Sequence, residues 1–307
     1  MAGSTSSLPP GTAPAVAPSV PASRQVEEGS VRLRRNVQAV GIYLLLIGGA
    51  VVMLVPLVWL LSSSLKDEGR IFLYPPQWIP DPWRWENYSR VFDRVPFLRF
   101  YWNSTFVTAL TTAGQVISAS LVAFGFARLR FPGRDVLFLV LLATVMIPYH
   151  VTLIPTFVLY RELGWLDTYL PLIVPTWLGG SPFYIFLLRQ FYLRLSLELD
   201  DAARVDGAGP WRIYTDVVLP QSKPALGVVA VFAFLTHWND FFGPLIYLST
   251  TEKYTLPLGL YLFRGVEQTS WHLLMAASVM TAIPCVLLYF VAQRYFIQGI
   301  VFTGLKE

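Results

Sequence analysis

The amino-acid sequence predicts an all-α membrane protein of six transmembrane helices, and three observations carry that prediction. Of the 307 residues, 54% are hydrophobic and only 14% charged, well to the apolar side of ordinary globular usage. Six apolar runs are long enough, at roughly 20 residues each, to cross about 30 Å of hydrocarbon. No segment alternates apolar and polar residues between turns as a membrane barrel does, so a spanning backbone must satisfy its hydrogen bonds inside helices.

Residues 1–36 are rich in Ser, Pro, Ala and Val, with few charges and no helical periodicity, the composition of a disordered tail. A secretory signal places its charges ahead of an apolar stretch near the start. Here Arg32, Arg34 and Arg35 directly precede the first span, which is expected to remain as an anchor. The membrane domain is 37–307, with spans expected at 37–61, 104–127, 136–160, 169–191, 224–248 and 273–296 and a polar loop at 198–222. Pro148 and Pro155 flank His150 in the third span, and Pro175, Gly179, Gly180 and Pro182 interrupt the fourth. Both helices are expected to kink there and turn carbonyls toward a cavity or hinge, although such breaks also occur without a gating role. Cys285, the one cysteine, has no partner for an internal disulfide and reads as structural.

Lys and Arg near the helix ends set the orientation. With the N-terminus inside, the inner segments hold Arg32, Arg34, Arg35, Arg128, Arg130, Arg134, Arg189, Arg194, Arg204, Arg212, Lys223, Arg294 and Lys306. The short outer loops hold only Arg161, Lys253 and Arg264, and the basic residues of the long first outer loop are nearly balanced by acids. Both termini and the polar loop are therefore expected in the cytoplasm. The net charge of +4 records this inside bias and calls for no nucleic acid.

Several chemistries lack their residues. There is no Walker-type phosphate loop, and His150, His237 and His272 are scattered without cysteine partners, which leaves no metal site. No nucleophile elbow is present. The chain is expected to be no enzyme, to carry no cofactor and to hold no metal.

The polar loop is the most informative segment. Glu198 to Val205 are good helix formers with acids at the start, Gly207, Gly209 and Pro210 make a turn, and Trp211 begins a second short helix. Trp211, Tyr214 and Val218 recur at helical intervals and are expected on one apolar face, while Asp200, Asp201, Arg204 and Asp206 put charge along the first helix. An aromatic anchor among charges suits a protein interface. The competing reading, a helix lying on lipid headgroups, is disfavoured by the acids, because anionic lipid attracts basic faces.

The same loop resembles the signature loop of ABC importer permeases, whose pattern is Glu-Ala-Ala, three residues, Gly, nine residues, then Ile-x-Leu-Pro. Here stand Asp201, Ala202, Ala203, three residues, Gly207, nine residues, and Val217, Val218, Leu219 and Pro220. Asp201 replaces the family Glu and Val217 the family Ile. Ser64 to Lys66, Pro76 with Trp78 to Pro80, and Trp85 to Tyr88 are similar to carbohydrate-type permeases related to the smaller permease of the maltose importer. So are Met146 to Pro148, Leu153 to Pro155, and Trp238 to Asp240. The resemblance implies a type I ABC importer permease fold and a subunit that imports a sugar or oligosaccharide across a prokaryotic cell membrane. A permease for glycerol-phosphate-like solutes is the near alternative. An ion-coupled secondary transporter with Asp240 as its ion site is the distant one.

It also implies partners: a second permease subunit, two copies of an ATP-hydrolysing subunit, an extracytoplasmic substrate-binding protein and membrane lipid. In the family the bent loop is a coupling helix seated in a groove of the ATPase. The implied coupling residues are Asp201, Ala202, Ala203, Asp206, Gly207, Trp211 and Pro220, with a local hydrogen-bonding role for Asp206 equally open. Trp238, Asn239 and Asp240 either line the substrate path or bond to a neighbouring helix. Tyr254, Leu256, Tyr261 and Phe263 lie in an outer loop too apolar for a solvated connector. They either meet the binding protein or form an interfacial aromatic belt.

Overall fold

The structure of the protein, a computed structural model, describes residues 22–264 and 269–301. Residues 1–21, 265–268 and 302–307, including the beginning of the expected tail, lie outside the described residues. By its contacts the chain divides into one unit up to Val58 and a second from Trp59 onward. Among the described residues there is no β-strand, and four helices are long and apolar enough to cross a membrane, or up to six if each bent helix pair is one span.

Helix α1 runs over Ala22–Ser64. The described part of the expected tail is therefore helical, because the prolines end at Pro21 and the following residues include the helix formers Arg24, Gln25, Glu27 and Glu28. Its apolar side chains from Val40 to Val58 are exposed. Beyond it the chain folds back onto the end of α1. The amide of Asn87, on α2 (Glu86–Arg94), donates to the carbonyl oxygens of Ser64 and Lys66 at 3.0 and 2.8 Å, and the Ser64 and Tyr88 hydroxyls share a hydrogen bond of 2.8 Å.

Helix α3 (Phe97–Arg128) is the axis of the second unit. With 32 residues it is about 48 Å long at 1.5 Å per residue. Small side chains such as Gly114, Ala119 and Ala123 let neighbours approach its backbone. A Cβ added to Gly114 would lie 2.4 Å from the indole ring of Trp177. One apolar core gathers its second half with Ile185, Leu188, Tyr192, Tyr214, Val218 and Val229. Another gathers its first half with Trp238, Leu256, Phe263, Leu273 and Ala276.

The expected third span is two helices, α4 (Arg134–Ala143) and α5 (Tyr149–Glu162); the segments Arg134–Met146 and Tyr149–Glu162 meet at 96°. Pro148 causes the break: the residue before a proline is pushed out of the helical region, and Ile147 sits at φ −80°, ψ 114°. Pro155 remains inside α5. The fourth span divides into α6 (Leu170–Trp177) and α7 (Pro182–Arg194), with Gly179 and Gly180 between them at φ 124° and 64°. Gly180 also has no room for a side chain, since a Cβ would stand 2.6 Å from Nε2 of Gln115.

The remaining α- and π-helical elements are α8 (Leu197–Val205), α9 (Pro210–Arg212), a π-helical turn over Ile213–Val218, α10 (Leu219–Gln221), α11 (Lys223–Trp238), α12 (Phe242–Tyr247), α13 (Leu256–Tyr261) and α14 (Trp271–Val301). The segments Pro210–Gln221 and Lys223–Trp238 meet at 79°. The expected fifth span is α11 followed, after a break at Asn239, by α12.

Candidate functional site

The polar loop forms a helix, a tight bend and a second helical segment, as its residues predict. Ser196 caps α8 by accepting from the N–H of Glu198 at 3.2 Å. The bend is a Schellman closure: the N–H of Ala208 reaches the carbonyl of Ala203 at 2.8 Å and that of Gly207 reaches Arg204 at 3.0 Å. Gly207 has φ +79°, the left-handed conformation that this closure requires and that other residues adopt at a cost. Pro210 then occupies the first turn of α9, where its missing N–H is no loss.

One side of the bend is open and the other is packed. Asp201, Ala202, Asp206, Gly207 and Pro220 are exposed, as is Trp211 at 66%. Ala203 and Ala208 pack against the core. Asp201 forms an ion pair of 2.8 Å with Arg204 on the same helix, worth little between exposed groups. Trp211 packs on Tyr214, their ring centroids 5.5 Å apart, so the expected apolar face forms, with Tyr214 and Val218 buried and Trp211 at its open edge. One expectation is corrected. Asp200 is not part of the charged outer face: it is 1% exposed and turned inward.

Asp200 faces Arg128 at the end of α3, with Nη1 and Oδ2 3.4 Å apart and both side chains buried. Arg128 also donates to the carbonyl of Leu195 at 2.9 Å. Deeper in, the Ser120 hydroxyl is shared between those of Tyr192 on α7 (2.7 Å) and Tyr214 on the π turn (2.8 Å). The loop is thus fastened to α3 at two points. Neither was expected from the sequence, where Arg128 counts among the inner basic residues and Ser120 only as part of a span.

The three residues assigned to the substrate path part company. Trp238 is 2% exposed. It stacks on Phe234 and donates from Nε1 to the Thr281 carbonyl of α14 at 3.1 Å. Asp240 accepts from the N–H of Gly243 at 3.0 Å, holding the first turn of α12. Asn239 is exposed, and its amide donates to the Leu235 carbonyl one turn back at 2.8 Å.

At the opposite end of α3 the segment 249–256 is held from two sides. Asp167, at φ +56°, accepts from the backbone N–H groups of Ser249 and Thr250 at 3.0 Å each, from the Thr250 hydroxyl and from the Lys253 ammonium at 2.9 Å. The Thr250 hydroxyl, the Lys253 ammonium and the backbone N–H groups together hold the Asp167 carboxyl well below the usual carboxylate range. From α3, Asn103 donates to the carbonyls of Glu252 and Tyr254 at 2.8 and 3.0 Å, and the Ser104 hydroxyl accepts from the N–H of Leu256 at 2.7 Å. Leu256 and Phe263 are buried, whereas Tyr261 is exposed and Tyr254 half-buried. The first two brace the loop from beneath and the tyrosines reach its surface.

Among the described residues no group of His, Cys, Asp and Glu is placed to hold a metal ion. The profile of the family described as binding-protein-dependent transport system inner membrane component matches residues 115–301, more than half of the chain. The diacetylchitobiose uptake system permease protein NgcG of Streptomyces coelicolor is 34% identical over 252 residues, covering 81% of this chain and 83% of its own. The sn-glycerol-3-phosphate transport system permease protein UgpE of Yersinia enterocolitica is 33% identical over 267 residues, covering 84% and 94%. A chain from the crystal structure of a bacterial ABC transporter involved in the import of the acidic polysaccharide alginate superposes with a TM-score of 0.74 at 26% identity, covering 87% of this chain and 98% of that one.

Proposed function

This chain belongs to the binding-protein-dependent transport system inner membrane components, the permease subunits of ABC importers, and from that premise we propose that it carries an oligosaccharide inward on ATP hydrolysed by separate subunits. The observation that carries the mechanism is the closed, glycine-pivoted bend with an exposed outer side at Asp201, Ala202 and Trp211. An ATPase groove receives that side. Asp201 pairs there with a basic residue, trading a weak surface partner in Arg204 for a desolvated one, while Trp211 supplies the apolar anchor. Closure of two ATPase copies on their nucleotide then pushes the bend and, through it, the spans.

The bend lies in the cytoplasm, with both termini on the same side, and 249–256 lies outside facing the binding protein. Tyr254 and Tyr261 make that contact, with Leu256 and Phe263 behind them. A second permease completes the central path, since one such chain has too few spans to enclose it. Of the assigned path residues, Asn239 offers its amide to substrate hydroxyls; Trp238 and Asp240 shape the break that exposes it. Residues Asp206, Gly207 and Pro220 set the geometry of the bend, and Ala203 packs it against the core.

The kinship to diacetylchitobiose and alginate transport systems supports a carbohydrate. The kinship to a glycerol-phosphate permease supports a second reading, a small phosphorylated solute. Binding of diacetylchitobiose, alginate oligosaccharide and glycerol 3-phosphate to the partner binding protein, followed by uptake into proteoliposomes, separates them. Saturable, ATP-dependent uptake of either sugar supports the first reading, uptake of glycerol 3-phosphate alone supports the second, and a raised KM in Asn239→Ala supports the path assignment.

A further inference from the structure

We propose that α3 is a strut that fixes the outer face of this subunit to its coupling bend, so that the two move as one body during transport, with Asn103, Ser104, Ser120 and Arg128 as its positioning residues. The proposal rests on the reading above, in which the bend meets an ATPase and the segment 249–256 faces the binding protein.

Four polar side chains of one helix carry it. At the outer end Asn103 and Ser104 hold three backbone positions of the loop: the carbonyls of Glu252 and Tyr254 and the N–H of Leu256. At the inner end Ser120 holds Tyr214 of the π turn, and Arg128 faces Asp200 of α8 while donating to Leu195 just before it. Asn103 and Arg128 are separated by about 38 Å of helix at 1.5 Å per residue, more than the hydrocarbon thickness of a bilayer. A single helix therefore reaches from one docking face to the other.

The other candidate spans are not built to transmit a displacement this way. The pair Arg134–Met146 and Tyr149–Glu162 bends by 96°, Gly179 and Gly180 interrupt α6 and α7, and α1 and α14 contain Pro56 and Pro284. Among the described residues α3 alone spans without an internal proline or a break. Its ties are also protected from water, since Asn103, Ser104, Ser120, Arg128 and Asp200 are all buried. Neither carboxylate oxygen of Asp200 has a hydrogen-bond donor, so Arg128 is the counter-charge on which that buried anion depends. Separating them would leave an uncompensated charge in the interior, and the bend therefore follows α3 rather than sliding past it.

The test uses the whole complex, with its second permease and ATPase copies, in lipid nanodiscs. In a Cys285→Ser background, nitroxides at Glu198→Cys on α8 and Glu252→Cys on the outer loop report the distance between the two faces. It is measured without nucleotide and after trapping with ATP and vanadate, with vanadate-sensitive hydrolysis scored in the same sample. The strut predicts that trapping shifts this distance by less than the width of its distribution, and that Asp200→Asn with Tyr214→Phe makes it shift or broaden on trapping. A wild-type distance that changes on trapping overturns the strut, as does a doubly substituted complex that behaves like the wild type. If that variant fails to assemble, Asn103→Ala with Ser104→Ala cuts the outer ties instead, and the same loosening is required of it. A complex with no vanadate-sensitive hydrolysis refutes the ATP-driven reading itself, and the strut falls with it.

Discussion

Substitution of Gly207 grades the geometry of the bend against coupling. The residue sits at φ +79°, and nothing lies within 4 Å of the place a Cβ would take, so a small side chain meets no steric obstacle and its cost is conformational. Placing alanine in the left-handed region costs about 1–2 kcal/mol, a factor of roughly 5–30 in the population of the closed turn. Asparagine tolerates that region better and should cost less. Proline is worse than either: its φ is fixed near −65°, and it removes the N–H that reaches Arg204 at 3.0 Å, a further loss of about 1 kcal/mol. The expected order of coupled activity is Gly, Asn, Ala, Pro, with membrane insertion equal throughout. Co-purification of the ATPase with tagged permease, and ATP-driven uptake per inserted subunit, read that order. Proline performing as well as alanine, or asparagine worse than it, would refute the assignment of Gly207 as a left-handed pivot.

Asp201→Lys should leave insertion intact and cost the chain its ATPase on co-purification, because the exposed carboxylate is replaced by a cation that would repel the basic residue proposed to receive it; undiminished co-purification counts against that contact. Asp167→Asn should loosen the segment 249–256 at neutral pH, read as faster amide exchange there. Because the Asp167 carboxyl is held below its ordinary value, near 3.9 in an unfolded chain, its contribution is complete above about pH 4 and is lost as pH falls through the lower folded-state value. Wild-type protection should therefore persist down to that range, and equal exchange in the two proteins at pH 7 would contradict the clamp. Gly114→Ala should lower thermal stability by about 1–3 kcal/mol, since its Cβ would enter the Trp177 ring at 2.4 Å, and Trp177→Leu should relieve the clash; an unchanged melting temperature for Gly114→Ala would show that the helices part freely.

Much of this architecture is legible in the sequence because it rests on local chemistry. Apolar length marks the spans, Pro148 and the Gly179–Gly180 pair mark two of the breaks, and the spacing from Asp201 through Gly207 to Pro220 marks the bend. Distances across the fold are another matter. Asp200 and Asp201 are adjacent and chemically alike, yet one is buried against Arg128 and the other is exposed. What separates them is the position of α3, which helical periodicity in the loop alone does not supply. The π turn over Ile213–Val218 escapes a sequence reading because its residues suit an α-helix equally well. The Asp167 clamp joins loops some eighty positions apart, beyond the reach of any spacing rule. Trp238 is a third case: beside Asn239 and Asp240 it reads either as a sugar platform or as a tie to a neighbouring helix, and only the fold shows that its indole donates to the Thr281 carbonyl of α14.

The source of the driving force is the most direct point of test. Proteoliposomes containing this permease, its partner permease, the ATPase pair and the binding protein would be loaded with ATP and presented with diacetylchitobiose or alginate oligosaccharide on the binding-protein side. An ATP-coupled permease gives uptake that requires ATP and the ATPase subunits and is lost with Gly207→Pro. Uptake that persists without the ATPase subunits and follows an imposed proton or sodium gradient would contradict it.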